Sequence, residues 1–266
     1  MIRIHPLAQP AALSVARVDH PPETPHQDPQ EETAEAYELN FVEQGVFEVR
    51  ARNGQWRFYP GTVFVTWPGL VFQCRHEESI PRDVCLSVTL QPELVREVNV
   101  RKGRLPLFFP VSNRLRYLHW RLTERALRDA DLLTTETLAA ELVEAVAHRD
   151  GTRWKPTSPG QLQWYARRVE RTRELLESDY AHPHSLGSLA REAGMSPFHF
   201  SRVFRELTGT PPHRYLLRVR LARAAERLRD GASVTETCFA CGFNNLSHFT
   251  RLFRHRFGVS PSRWLS

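Results

Sequence analysis

At 266 residues, with 41% hydrophobic residues and a net charge of +6, the chain is long enough for two domains with separate cores. No apolar run approaches the ~18–20 residues that span a bilayer, and residues 1–18 lack the apolar core of a secretion signal, so a soluble cytoplasmic protein is the expectation. Four cysteines, at positions 74, 85, 238 and 241, are too few for a secreted disulfide scaffold.

In chain order, the stretch before Tyr37 is rich in Pro, Glu and Gln and reads as irregular at least to Glu31. Alternating apolar residues then predict strands over 37–42, 46–51, 56–59, 63–66, 71–76 and 84–90. Turn residues separate them at Gln44-Gly45, Asn53-Gly54, Pro60-Gly61, Pro68-Gly69 and residues 80–83. Short strands at this spacing point to an antiparallel barrel or sandwich. Helical periodicity takes over at 112–128 and 134–148, where Leu115, Leu118 and Leu122, then Leu138, Leu142 and Val146, form stripes. Those stripes suit either contact between two copies or packing on the strands. Residues 151–160, with two prolines, two glycines and no period, read as a linker.

Charge divides at the same place. Residues 1–150 hold 17 Lys+Arg against 21 Asp+Glu, a net of −4, whereas residues 151–266 hold 19 against 9, a net of +10. The basic surplus implies a polyanionic partner for the second part alone.

That second part carries one helical unit twice. From His199 the chain reads His-Phe-Ser-Arg-Val-Phe-Arg, and from His248 it reads His-Phe-Thr-Arg-Leu-Phe-Arg. Gly209 then matches Gly258, Pro212 matches Pro261, Arg214 matches Arg263, and Tyr215 matches Trp264. Each unit reads as a helix-turn-helix. In the first, Ser185 caps a helix over 186–193, Gly194 makes the turn, and Ser196 with Pro197 opens the second helix. Phe200, Val203, Phe204 and Leu207 share its inner face, leaving Phe198, His199, Ser201, Arg202 and Arg205 outward. In the second, a helix over 235–240 leads through Gly242 to a helix capped by Asn244 or Asn245. Its outward set is Asn245, Leu246, Ser247, Thr250, Arg251 and Arg254. The outward N-terminal half of such a second helix is the part that enters a DNA major groove. A linking helix over 212–230, roughly 28 Å long at 1.5 Å per residue, would set the two readers about one DNA turn apart.

The run over residues 240–264 closely resembles the signature of AraC/XylS-type transcription regulators, and the resemblance extends over roughly 160–266. It implies that base and phosphate contacts fall on Phe198, Ser201 and Arg202, then on Leu246, Ser247, Thr250 and Arg251. Leu246 stands where a polar residue is common, which favours contact with a thymine methyl. Arg205 and Arg254 lie further along their helices and suit the DNA backbone. The resemblance further implies a double-stranded operator, homodimers, a small-molecule effector and, for an activator, RNA polymerase as partner.

Residues 60–69 look like the strand-turn-strand core of the cupin-type sensor domains often fused to this DNA-binding domain. Glu38 fits the acidic position of the first cupin motif, but both motifs lack their metal-binding histidines, so no metal or other cofactor is expected. Phe41, Phe47, Trp56, Phe64 and Trp67 would line a ligand pocket or simply form core. Cys74 and Cys85 flank the turn at residues 80–81 symmetrically. If the flanking strands pair about that turn, Cys74 opposes Cys85 and His76 opposes Asp83, which makes either a redox or thiophilic effector site or simply buried free thiols that pack as small hydrophobes. Cys238 and Cys241 fall in a helix where small residues allow close packing, without a second ligand pair for a metal.

The expected organisation is thus multidomain α and β. A cupin-like antiparallel β-barrel with an irregular N-terminal arm fills 1–110, and a helical dimerisation or connecting region fills 111–150. A linker over 151–160 leads to an all-α domain of two helix-turn-helix units over 161–266. No nucleophile elbow, phosphate loop or metal-ligand spacing points to an enzyme. A regulator sensing a small molecule is the leading reading. An N-terminal enzyme with an alkyl-accepting Cys74 or Cys85, and a non-specific nucleoid protein, are the alternatives.

Overall fold

The computed structural model describes residues 3–8, 13–20, 31–51, 54–76, 82–97, 107–126, 132–147 and 158–264. Its contacts divide the chain into two compact units, Met1–Pro156 and Thr157–Ser266. Most of the expected linker, 151–157, lies outside the described residues, as do residues 80–81 of the turn between the first two cysteines.

In the first unit the strands are β1 (Arg3–Ala8), β2 (Leu13–His20), β3 (Glu32–Thr33), β4 (Tyr37–Gln44), β5 (Phe47–Ala51), β6 (Gly54–Phe58), β7 (Thr62–Thr66), β8 (Val71–His76), β9 (Asp83–Leu90) and β10 (Phe108–Pro110). Three helices accompany them: α1 (Pro92–Glu97), α2 (Asn113–Ala126) and α3 (Leu132–Ala147). One sheet runs β1-β2-β9-β4-β7-β10 and the other β3-β8-β5-β6, with every pairing antiparallel. They share no strand, so the expected barrel is an open pair of sheets.

The N-terminal stretch corrects the expectation of an irregular arm. β2 pairs with β9 from Leu13↔Leu90 to His20↔Asp83, in the interior of the larger sheet. Its apolar alternation stops after Val15 because Arg17 and Asp19 continue the same face. Each is neutralised across the structure: Arg17 Nε meets Glu43 at 3.1 Å, and Arg82 Nη2 meets Asp19 at 2.8 Å. A strand whose inward face ends in ion pairs loses the pattern by which strands are recognised.

The larger sheet is covered on both faces. Leu13, Val15, Leu39, Phe41, Val63, Val65, Leu86 and Val88 share one face by register and are buried. That face meets the helices, with the Phe41 ring 4.8 Å from His119 of α2. Leu115, Leu118, Leu122, Leu138, Leu142 and Val146 join the same hydrophobic cluster. The two helical stripes are therefore filled by the chain's own core, and a second copy would have to use other faces of α2 and α3. On the opposite face, Phe64 lies 5.1 Å from Phe58 and 5.3 Å from Phe72 of the smaller sheet.

The second unit comprises α4 (Pro159–Ser178), α5 (Leu186–Glu192), α6 (Pro197–Thr208), α7 (Pro212–Arg229), α8 (Val234–Ala240), α9 (Leu246–Phe257) and a closing 3-10 turn, Pro261–Arg263. The repeat is structural as well as sequential. Phe204 meets Tyr215 edge-on at 5.6 Å, and Phe253 meets Trp264 edge-on at the same 5.6 Å. Both recognition-type helices end on a glycine in the left-handed region, Gly209 and Gly258. Arg173 of α4 is buried. It donates to Tyr215 Oη at 2.9 Å and to Glu170 at 2.9 Å, and Tyr215 also bonds Glu177.

Arg220 of α7 ties the halves of this unit together. Its Nε donates to the Tyr180 carbonyl at 2.7 Å, Nη2 to His182 O at 2.9 Å, and Nη1 to Gly242 O at 2.8 Å. Gly242 has φ +79°, and a Cβ there would lie 2.3 Å from Ala181 O and 2.9 Å from Arg220 Cζ, so no other residue fits. Hydrogen bonds to a charged group contribute about 1.5–3 kcal/mol. Arg220→Ala should therefore lower unfolding free energy by about 2 kcal/mol or more, read as a lower denaturant midpoint at unchanged slope.

Candidate nucleic-acid interface

Each reading helix is fixed at its start by a side-chain cap. The Ser196 side chain accepts from His199 N–H, and Pro197 takes the first helical position, where no N–H is needed. In the second unit the choice between Asn244 and Asn245 falls on Asn245, whose Oδ1 accepts from His248 N–H at 2.8 Å. The cap engages the acceptor oxygen of Asn245, and the residue stays exposed at the start of the helix. The turn also differs. One residue, Met195, separates Gly194 from the cap in the first unit, whereas Phe243 and Asn244 separate Gly242 from the cap in the second.

The inner faces are those the sequence marks. Phe200, Val203, Phe204 and Leu207 are buried on α6, and Phe249 and Phe253 on α9, with Leu252 and Phe257 half-buried. The outer faces differ in chemistry. On α6, Phe198 is 80% exposed, Arg202 and Arg205 are exposed and Ser201 is half-buried. On α9, Leu246, Ser247, Thr250, Arg251, Arg254 and His255 line one open groove that ends at Gly258. The second face thus offers two hydroxyls and two arginines around a leucine, where the first offers a phenylalanine, one hydroxyl and two arginines.

One part of the first face escaped the sequence reading. Arg202 Nη2 donates to His199 Nδ1 at 3.1 Å, and His199 Nε2 meets the Tyr165 hydroxyl of α4 at 3.0 Å. Gln161 Nε2 also reaches that hydroxyl at 3.2 Å. The 34 residues separating Tyr165 from His199 explain why no local pattern reveals this contact.

The candidate cysteine site does not form by strand pairing, although Asp83 and Cys74 lie near enough to act on the Cys85 thiol. β8 and β9 do not pair: Cys74 stands opposite Val49 in the smaller sheet, and Cys85 opposite Val18 and Val42 in the larger. Asp83 is buried beside His20, 3.1 Å away, and the His76 side chain lies outside what the structure describes. Both thiols are free. Burial, reinforced by the charge of Asp83, pushes both well above the usual thiol range, so they stay protonated at neutral pH. That is the reverse of what a nucleophile or metal ligand requires. The hairpin reading failed because it assumed that strands adjacent in sequence are adjacent in space.

Polar side chains occupy the inter-sheet face instead. Ser14, Thr89, Glu38 and Thr66 stand in one row of the larger sheet, and Ala16, Ser87, Asn40 and Phe64 in the next. Thr89 Oγ1 donates to Glu38 at 3.2 Å, and Ser87 Oγ donates to Asn40 Oδ1. Because Phe64 touches the smaller sheet from this face, these groups point between the sheets. Of the aromatics expected to line a pocket, Phe47 and Phe64 meet here at 6.5 Å, while Phe41 faces the helices.

Two capped helix-turn-helix units joined by a single helix, with unlike basic outer faces, make up the second unit. Residues 189–266 match the family model described as a helix-turn-helix domain. The chain is 32% identical over 155 residues to the HTH-type transcriptional activator RhaS of Escherichia fergusonii, covering 54% of this chain and 55% of that protein. It is 38% identical over 82 residues to the HTH-type transcriptional regulator Rv1931c of Mycobacterium tuberculosis, covering 30% of this chain and 32% of that one. The chain thus spans about half the length, or less, of these curated relatives. A crystal structure of a probable AraC family transcriptional regulator from Rhodopseudomonas palustris CGA009 is 34% identical with a TM-score of 0.35, covering 37% of this chain and 94% of that chain. Residues 189–266 are thus a helix-turn-helix domain.

If Arg251 reads a base, Arg251→Ala should cost about 1–3 kcal/mol at one operator position and little elsewhere. If it holds a phosphate, all sequences should weaken alike with a smaller salt slope. Wild-type affinity in a footprinting titration would refute both roles.

Proposed function

We propose that the chain is a sequence-specific, DNA-binding transcription regulator whose N-terminal unit takes a small polar molecule. The observation that carries the first part is the pair of unlike, basic, capped helix faces on one rigidly braced unit. Two identical faces would read a repeated half-site; these suit one asymmetric site. Phe198 and Leu246 supply apolar contacts to thymine methyls, Ser201, Ser247 and Thr250 supply hydroxyls, and Arg202 and Arg251 supply bidentate donors. Arg205 and Arg254 bind backbone phosphate. The relatives' names include activators, so RNA polymerase is the proposed protein partner, in the cytoplasm, with a homodimer as the working form.

The second part rests on the polar rows between the sheets. A face packed on another sheet is ordinarily apolar, since polar groups placed there must be matched by hydrogen bonds. Glu38, Asn40, Ser87 and Thr89 keep donors and acceptors facing inward, which suits a hydroxylated or amine-bearing ligand better than a lipid. The half-buried thiol of Cys74 and the buried thiol of Cys85, both held well above the usual thiol range, weigh against the alkyl-accepting enzyme.

Genome-wide footprinting of the purified protein should yield a small set of asymmetric sites that survive excess competitor DNA. Uniform coverage would favour the nucleoid reading. For the effector, a thermal-shift panel of sugars, sugar acids and amino alcohols should contain a ligand that stabilises the first unit. At a hundredfold excess over Kd the gain is about 2.7 kcal/mol, and Glu38→Gln or Asn40→Ala should abolish it. A stabilising ligand indifferent to both changes would move the site elsewhere.

A further inference from the structure

From the contact that joins α4 to α6 we infer that Tyr165 and His199 are positioning residues for Arg202, making the first DNA-reading face preorganised and the second adaptable. The inference rests on the DNA-reading function proposed above and concerns how its two halves differ.

The chemistry of the chain of contacts is directional. An arginine guanidinium has only donors, so Arg202 Nη2, 3.1 Å from His199 Nδ1, requires that nitrogen to be the acceptor. The imidazole is then neutral with its proton on Nε2, which donates to the Tyr165 hydroxyl at 3.0 Å. The rings of Tyr165 and His199 also pack at 5.4 Å, and the His199 side chain is half-buried between the helices. Tyr165 is itself braced, by Gln161 at 3.2 Å and by Trp164 edge-on at 5.3 Å. A long, exposed arginine is thereby held from behind by a group on a different helix. Holding a flexible side chain before binding removes part of the entropy lost when it docks.

The repeat supplies its own control. His248 and Arg251 occupy the same two positions on α9 with the same spacing. Yet His248 is exposed, and among the described residues neither its ring nor the Arg251 guanidinium has a hydrogen-bond or ionic partner. The His-x-x-Arg pair alone therefore does not create the brace; the first unit adds Tyr165 of α4 behind the imidazole.

The test uses the full-length protein and a randomised operator library, with selection read position by position. Arg202→Ala should erase the preference at one base position, a loss of about 5- to 100-fold. Tyr165→Phe, which removes one oxygen, should weaken that same preference at least roughly threefold without moving the second half-site or the melting temperature. His199→Leu should do the same, whereas His199→Asn, which keeps an acceptor near Nδ1, should retain more of the preference. If Arg202→Ala loses the preference while Tyr165→Phe and His199→Leu keep the wild-type profile, the positioning role is overturned and the DNA-reading role stands. If the wild-type protein selects no sequence, the functional reading itself fails.

Discussion

The guanidinium of Arg220 is the constraint on which the second unit depends. A helix-turn-helix reads DNA only when its second helix is presented at a fixed angle, and two of them read together only when both angles are fixed to each other. Three carbonyls from two places, Tyr180 and His182 before α5 and Gly242 in the second turn, converge on this one side chain. Half-burial works against its charge, and the three carbonyls are what keep it in place. Gly242 completes the joint by letting backbone, not side chain, lie against Ala181. The Arg173–Tyr215–Glu177 contacts brace the same linking helix against α4 from its other end. Neither set of contacts is part of the reading surface, yet both fix where that surface lies.

The two halves of the chain were unequally legible, and for physical reasons. In the second unit local rules agree with one another: caps at Ser185 and Ser196, glycine at the turns, and phenylalanines at helical spacing all mark the same boundaries. Duplication then let each half check the other. What escaped were contacts between residues far apart in sequence, Tyr165 with His199 and Arg220 with Gly242, for which no periodicity exists. The choice between Asn244 and Asn245 escaped because either could cap; the longer second turn decided it.

In the first unit the six strands between Tyr37 and Leu90 were legible, their partners were not, and the short strand β10 was missed. Alternation such as Glu38-Leu39-Asn40-Phe41 ordinarily means a sheet with one wet face. Here the polar face is turned toward a second sheet, so the same pattern carries the opposite meaning. Nothing local distinguishes the two cases, since the distinction lies in which strands assemble elsewhere. The same blindness produced the mistaken pairing of Cys74 with Cys85, whose strands lie side by side in the chain and in different sheets. β2 was missed because its inward face ends in Arg17 and Asp19, each answered by a charge distant in sequence.

Under the proposed function, the unbroken helix α7 has a consequence for how operators change over generations. A rigid rod of 18 residues between the two readers leaves no slack to absorb a shift in half-site spacing. Inserting one base pair between the half-sites rotates one against the other by about 34°, given about 10.5 base pairs per turn. The protein cannot follow that rotation without breaking the Arg220 joint. Target sites should therefore drift by substitution within each half and almost never by insertion or deletion between them, so that spacing, more than sequence, marks the lineage of the regulon.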